Sequence, residues 1–316
     1  GTSGFIGSNL RDALLRGGAD VISLLRPVSP PSSKGRSVGV AYEDLEGLTR
    51  VIATERPDYV FHVAGATKGV TFEDFRVANV VPTVNLAEAL VRAHPGVKRY
   101  LFVSSLTAWG PSNDGPPKRE EDPPEPVEHY GRSKLEAERA LSAFSVPWTI
   151  VRPGAVYGPA EVDMFNLFKA ARNGIDLYFG NRDKRASLVY VDDLLDAMVN
   201  AAQADTTLGR GYLIGDGIHY TWQDIQTQIV SAVGRRTLRV NLPSFLVGAA
   251  GIAGELMTAV DRKPRLLNRQ KALIDAQRAW LCSIEAAQRD FGYTPKVSLA
   301  EGTRRAYAWY VENGWL

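Results

Sequence analysis

One cysteine, Cys282, and four histidines are all that 316 residues offer as thiol or imidazole metal ligands. A lone thiol excludes a disulfide within the chain and suits a reducing compartment, so a cytoplasmic location is expected. The histidines and the cysteine show no metal-ligand spacing, so no metal is expected. An excess of either charge is also missing: 37 Lys and Arg stand against 35 Asp and Glu, a net of +2. A nucleic-acid partner would need a basic footprint that this balance does not supply. Long apolar runs are absent too. The nearest, "FLVGAAGIAGELMTAV" at Phe245–Val260, is interrupted by Glu255 and falls short of the ~20 residues of a membrane span. It reads as a buried or cleft-lining helix rather than a membrane contact. What remains is an ordinary globular composition, 45% apolar and 23% charged, with enough chain for one large domain or two unequal ones.

The first half alternates. Near-continuous apolar runs at Asp20–Leu25, Ser37–Tyr42, Asp58–Ala64, Lys98–Ser105 and Pro147–Arg152 read as strands buried on both faces. Between them, helical periodicity covers Phe5–Arg16, Glu46–Glu55, Phe72–His94 and Tyr130–Phe144. Such alternation predicts an α/β fold with a doubly wound parallel sheet of the Rossmann type. After about Pro153 the rhythm loosens. Ala186–Val191 reads as one more strand, and helices follow at Asp192–Ala202, Thr221–Val233, Phe245–Ala259 and Leu299–Glu312. The expected division is a nucleotide-binding domain over 1–154 and a smaller mixed α/β substrate domain over 155–316, with 186–203 returning to the first sheet. Pro111–Tyr130 is too rich in proline and acid for regular structure.

Several short motifs carry chemistry. "GTSGFIG" places Gly1, Gly4 and Gly7 three apart ahead of a helical run. Glycines there allow a tight turn, a close backbone approach to a pyrophosphate and close helix packing, and the helix N-terminus supplies amides. The loop residues Ser3, Phe5 and Ile6 are expected to share that contact, although a glycine-rich turn alone would look similar. The next strand ends "SLLRP", with Leu25 where an NAD site usually has an acid and Arg26 after it. That favours NADP over NAD, since a guanidinium suits a 2′-phosphate; Lys34 and Arg36 follow. Asp44 and Leu45 could meet an adenine, or Asp44 could cap the next helix. Ala64, Gly65 and Ala66 are small where backbone must pass a cofactor. His62, inside its apolar strand, reads as a satisfied core histidine.

Tyr130 and Lys134 lie four apart, on one face of a helix. A nearby ammonium favours phenolate and is expected to lower the Tyr130 pKa from its usual ~10, giving a general acid–base. Ser105, at a strand end, is placed to hydrogen-bond the same oxygen.

Together these stretches resemble the extended type of the short-chain dehydrogenase/reductase superfamily, the NAD-dependent epimerase/dehydratase family. The likeness continues through "NVVPTVNLAEAL", "YGRSK", "VRPGAVYGP", "VYVDDLLDA" and "GYTPKVSLAEGTRRAYAWY". It implies a Ser105–Tyr130–Lys134 catalytic set supported by Asn79. It also implies that Lys134 holds the nicotinamide ribose, with Ser104, Pro153 and Val156 beside the ring. Thr67, Leu106, Thr107 and Ala155 are expected near the substrate with Ser105 and Tyr130. A homodimer through the Asn79–Val91 and Tyr130–Phe144 helices is implied as well.

Departures from the family pattern narrow the substrate. "LTAWG" at Leu106–Gly110 lacks the acid pair of sugar-nucleotide dehydratases. Ala155 replaces an asparagine typical near the diphosphate, and Ala186, Ser187 and Leu188 replace an Arg-Asp-Phe run, with Arg185 adjacent. The pattern is similar to the branch of 3β-hydroxysteroid dehydrogenases and dihydroflavonol reductases. The expectation is hydride transfer between NADP(H) and a secondary alcohol or ketone on a fairly apolar small molecule. The alternatives are a UDP-sugar 4-epimerase holding NAD and a non-catalytic dinucleotide sensor. In this fold the strand feeding the glycine loop is central, so one more strand of ~6 residues is expected ahead of Gly1.

Overall fold

A computed structural model describes residues 1–29, 34–242 and 269–316. The helix expected at Phe245–Ala259 lies outside these residues. The first half is built of α1 (Phe5–Arg16), β1 (Ile22–Leu25), β2 (Arg36–Gly39), α2 (Leu45–Glu55) and β3 (Tyr59–His62). Then come α3 (Phe72–Phe75), a π-turn at Arg76–Val80, α4 (Val81–Ala93), β4 (Arg99–Val103), α5 (His129–Leu141) and β5 (Trp148–Pro153). The single helix expected from Phe72 to His94 is therefore three pieces. Pro82, in the first turn of α4, has no amide for the carbonyl four residues back, so the helical ladder loosens there.

β3, β4, β5 and β9 (Arg210–Ile214) form one parallel ladder in the order β3–β4–β5–β9. β1 and β2 form a second parallel ladder, and among the described residues β1 and β3 do not pair. Every residue of β4 is buried, because helices cover both faces. α2, α4 and α5 pack on one side around Leu48, Leu90 and Phe102. α1 and α7 (Val191–Gln203) pack on the other around Leu101, Val151 and Leu194.

The second half adds β6 (Ala155–Tyr157), α6 (Val162–Arg172), β7 (Ile175–Phe179) and β8 (Arg185–Tyr190), then β10 (His219–Thr221), α8 (Trp222–Val233), β11 (Leu238–Leu242) and β12 (Ala279–Trp280). The stretch 186–203 meets the large ladder through α7 rather than through its strand. β8 pairs with β6, β10 and β12, whereas β9 lies beside β5. The proline-rich 111–127 segment is tied down by backbone bonds: the Ser112 amide donates to Ala279 O at 3.0 Å and the Lys118 amide to Leu281 O at 2.9 Å. Among the described residues no helix is long and apolar enough to cross a membrane.

One buried ion pair joins sheet to helix. Arg152 on β5, 6% exposed, meets Glu138 on α5, 4% exposed, at 2.8 Å, and its guanidinium lies 3.5 Å from the Trp109 ring centroid. Removing one member leaves the other charged and unpaired in a desolvated place. Glu138→Ala should therefore lose about 3–5 kcal/mol of stability in denaturant unfolding, far more than an exposed Glu73→Ala control. An unchanged unfolding midpoint would remove this pair from any structural role.

Candidate active site

The candidate site lies at the carboxyl ends of β3, β4 and β5, where an open parallel sheet leaves a crevice. A cleft of about 160 Å³ opens there between Ser104, Ser105, Tyr130 and Lys134. Ile6, Gly65 and Thr67 line one side, and Pro153 and Val156 line another. All nine were expected from the sequence to meet cofactor or substrate. Val63, Val103 and Gly154 line it too and were not anticipated, because an apolar strand end carries no chemical signal by itself.

Tyr130 stands one residue inside the N-terminus of α5, and Lys134 follows one turn later. Lys134 is 3% exposed. Its Nζ donates to Val103 O at 2.9 Å and lies 4.7 Å from the Phe102 ring centroid. Burial pulls its pKa down to about 8, against the opposing pull of the Glu138 carboxylate. Burial first and the Glu128 charge second push the Tyr130 pKa up to about 12, while the Ser105 hydroxyl pulls it the other way. The expected acidification of Tyr130 by Lys134 is thus not found in the protein alone. The ammonium lies 6.0 Å from the Tyr130 ring centroid, is engaged by Val103, and is outweighed by desolvation. Tyr130 is held as a phenol, a proton donor.

Asn79, fully buried in the π-turn, clamps the loop after β3. Its Oδ1 accepts the Ala66 amide at 2.8 Å, while its Nδ2 donates to Ala66 O at 3.1 Å and to Ser133 Oγ at 2.8 Å. The Ser133 hydroxyl donates to Tyr130 O at 2.7 Å, so Asn79 acts on the site through backbone. Gly65 sits in this clamp. A Cβ there would lie 2.7 Å from Asn79 Oδ1 and 3.2 Å from Lys134 Nζ, so no side chain fits.

At the other end, Gly4 caps α1 without any side chain, and the first turn of α1 carries no acid. The helix N-terminus therefore presents amides and partial positive charge. A Cβ on Gly7 would overlap the Gly1 carbonyl, and one on Gly1 would lie 2.7 Å from the Ala64 amide nitrogen. Two hydroxyls near this path, Thr2 Oγ1 and Ser104 Oγ, are buried without a hydrogen-bond partner. A buried polar atom of that kind ordinarily has one, so a dinucleotide laid from the glycine loop to Lys134 fits these residues. Asp44 caps α2 by accepting the Gly47 amide at 2.8 Å, the structural member of the two roles read for it, with Leu45 as the first residue of the helix. Arg26 is exposed just past β1. Lys34 is engaged by Asp12 at 2.7 Å, and Arg36 by Asp20 and Glu55, so of the three cations Arg26 is the one those acids leave for a ligand.

Of the residues expected near substrate, Thr107 donates its hydroxyl to Ser105 Oγ at 3.0 Å, and Ala155 is exposed beside the cleft. Leu106 is 3% exposed and packs with Leu135 and Leu213 in a separate apolar cluster, outside the lining of the cleft. His62 is the core histidine expected: it stacks on Phe102 at 5.4 Å, its Nε2 lies 3.0 Å from Thr83 Oγ1, and burial drives its pKa well down. Two further features escaped the reading. Phe72 and Phe75 pack against His129, and Phe75 against Tyr130, forming an aromatic wall on the Tyr130 ring that lies outside the lining of the cleft. Glu128, 2% exposed, caps the Tyr130 helix. Only the fold brings the 72–75 turn to that place, so no local sequence signal could have found the wall.

The chain is similar to known proteins over nearly all of its length. The chain is 28% identical to a ceramide reductase of Caulobacter vibrioides, over all of this chain and 94% of that protein. It is 26% identical to a UDP-glucose 4-epimerase of Vibrio cholerae, over 96% of this chain and 92% of that one. A solved epimerase structure from Methanothermobacter thermautotrophicus superposes with a TM-score of 0.80 at 25% identity, over 99% of this chain and 90% of that one. The profile of the NAD dependent epimerase/dehydratase family matches residues 1–215. The chain belongs to the NAD-dependent epimerase/dehydratase family.

Proposed function

We propose that the chain is an NAD(P)-dependent reductase acting reversibly on a ketone or secondary alcohol of a fairly apolar substrate. The observation that carries this reading is Tyr130, held as a phenol in a cleft it shares with Ser105, Lys134 and a largely apolar lining. A cofactor bound along the cleft supplies or accepts the hydride. The residues do the rest. Ser105 and Tyr130 hydrogen-bond the carbonyl oxygen, Tyr130 gives it the proton as negative charge develops, and Lys134 supplies positive charge nearby. The cleft lining adds the apolar Ile6, Val63, Val103, Pro153 and Val156, and among the described residues its one cation is Lys134, so it offers apolar area to the substrate and little to pair with a diphosphate. Ser187, in the stretch that replaces Arg-Asp-Phe, is buried and accepts the Cys282 amide at 3.1 Å, so it too offers no diphosphate contact. The likeness to a ceramide reductase supports the same class. Arg26 favours NADP, and a homodimer through α4 and α5 belongs to this proposal.

A second reading, a UDP-sugar 4-epimerase retaining NAD, is favoured by the likeness to the Vibrio cholerae enzyme and would use the same three residues. The two separate in one assay. The protein, tested with NADPH or NADH against long-chain ketones, sterols and UDP-sugars, should consume NADPH with an apolar ketone. Conversion of UDP-glucose to UDP-galactose without added cofactor would overturn the first reading.

Three outcomes are expected. Tyr130→Phe should lower kcat by roughly 10²–10⁴ without unfolding the protein, the usual worth of a general acid. Near-wild-type turnover would contradict the assignment. Arg26→Ala should weaken NADPH at least about tenfold and leave NADH nearly unchanged, as loss of one charged hydrogen bond predicts. Fluorescence titration reads both affinities. Lys134 bears its charge below a pKa of about 8 and loses it above. Reduction should therefore be flat well below that pH and fall as pH rises through it, which a kcat/KM profile measures.

A further inference from the structure

The ladder of β7 and β11 opens on a patch that neither the cleft nor the core uses. Ile175 and Leu238 are the first residues of their strands and stand in register. Their side chains share one face, which Leu177 and Val240 continue two residues on. Asp176 and Tyr178, on the opposite face, are buried, whereas Leu238 is 73% exposed and Ile175 40%. One exposed leucine is ordinary on a protein surface, but two large apolar side chains standing side by side in water are less so.

Cations surround this pair. Lys169 and Arg172 lie in the last turn of α6, Arg235 and Arg236 follow α8, and all four are exposed. The fold joins the two turns: Arg235 Nη1 donates to Arg172 O at 2.6 Å, and the Leu238 amide donates to Gly174 O at 2.8 Å. Among the described residues none of the four pairs with a carboxylate. The stretches 164–175 and 225–242 contain no Asp or Glu, and the next acid, Asp176, is buried against Arg239 at 3.1 Å. On a chain of net charge +2 this is a local excess. Cations at a helix end have a plain structural use, since they complement the negative end of its dipole. That accounts for Lys169 and Arg172. It does not account for Arg235 and Arg236, which lie beyond the left-handed Gly234 that already closes α8 by donating to Val230 O, nor for the apolar pair.

We infer that this patch seats the protein on the surface of an anionic lipid bilayer: Lys169, Arg172, Arg235 and Arg236 meet the headgroup charges, and Ile175 and Leu238 enter the headgroup layer between them. Each Lys or Arg close to an anionic surface strengthens binding about fivefold, and apolar side chains set into that layer add to it. A nucleic acid would use the same cations. Its phosphate backbone gains nothing from an isoleucine and a leucine, so the apolar pair decides for lipid. The contact is peripheral and reversible. No residue of the cleft takes part in it, so the inference stands or falls apart from the proposed chemistry.

Co-sedimentation with lipid vesicles tests this on the whole chain without any substrate. The protein should bind vesicles of phosphatidylcholine and phosphatidylglycerol in equal parts and stay in solution with phosphatidylcholine alone. Added salt should release it, because the charges involved are exposed. Arg235→Glu combined with Arg236→Glu should lower the partition coefficient at least about 25-fold, the worth of two cations. Arg235→Ala with Arg236→Ala stands in if charge reversal disturbs folding. Leu238→Ser should lower it severalfold with all four cations in place. The inference is overturned by a chain that ignores the mixed vesicles, by one that binds both vesicle types alike, and by binding that survives loss of the arginine pair. It is overturned too if Leu238→Ser binds mixed vesicles and a DNA duplex as the wild type does, which would mark a general polyanion surface.

Discussion

The arrangement of the reacting end depends on keeping one ammonium out of water. Lys134 is buried between a strand and a helix, where an unpaired charge would cost several kcal/mol. The structure answers with three different groups. The Val103 carbonyl accepts from it, the Phe102 ring face lies under it, and the Glu138 carboxylate raises its pKa from one helical turn away. Each answer constrains something else. Val103 must be the last residue of its strand so that its carbonyl points into the crevice. Gly65 can carry no Cβ. Glu138 is in turn tied to Arg152 and, through it, to the Trp109 ring.

Tyr130 shares the same surroundings with the opposite result. Burial makes the lysine a weaker base and the tyrosine a weaker acid, because desolvation penalises whichever form is charged. The gap between the two pKa values widens, so the proton stays on the phenol. A phenol that keeps its proton until an oxyanion develops beside it suits carbonyl reduction. Negative charge appearing on a substrate oxygen is then stabilised where it forms, not where the resting enzyme already holds it.

The sequence carries some of this plainly and some not at all. The helices Phe5–Arg16 and Leu299–Glu312 were legible to the residue because caps and periodicity coincide at their ends. The Tyr130–Lys134 spacing and the glycine loop were legible because helix geometry and backbone crowding act locally. The break of the Phe72–His94 helix was not. It comes from Asn79 bonding Ala66, thirteen residues back, together with Pro82 in the next turn. β9 was missed because "RGYLI" is five residues that become a strand only beside β5. The Tyr130 pKa was read in the wrong direction because spacing reports nearness to Lys134 but is silent on desolvation and on Glu128.

The same limit explains why two substrate classes stay close in this family. On the proposed reading Ser105, Tyr130 and Lys134 set the hydride and proton chemistry, which is compatible with either a ketone or a nucleotide sugar. Discrimination is left to what surrounds them. Here the cleft around the phenol is lined by Ile6, Val63, Val103, Pro153 and Val156, while the segment where a diphosphate contact would be expected holds Ala155, Ala186 and a structurally engaged Ser187. Such side chains favour apolar area and offer no hydrogen bonds. A diphosphate in that crevice would lose water without gaining charged donors, a cost an apolar ketone does not incur. On the proposed reading, selectivity is a matter of desolvation, the same force that lowers the Lys134 pKa and raises that of Tyr130.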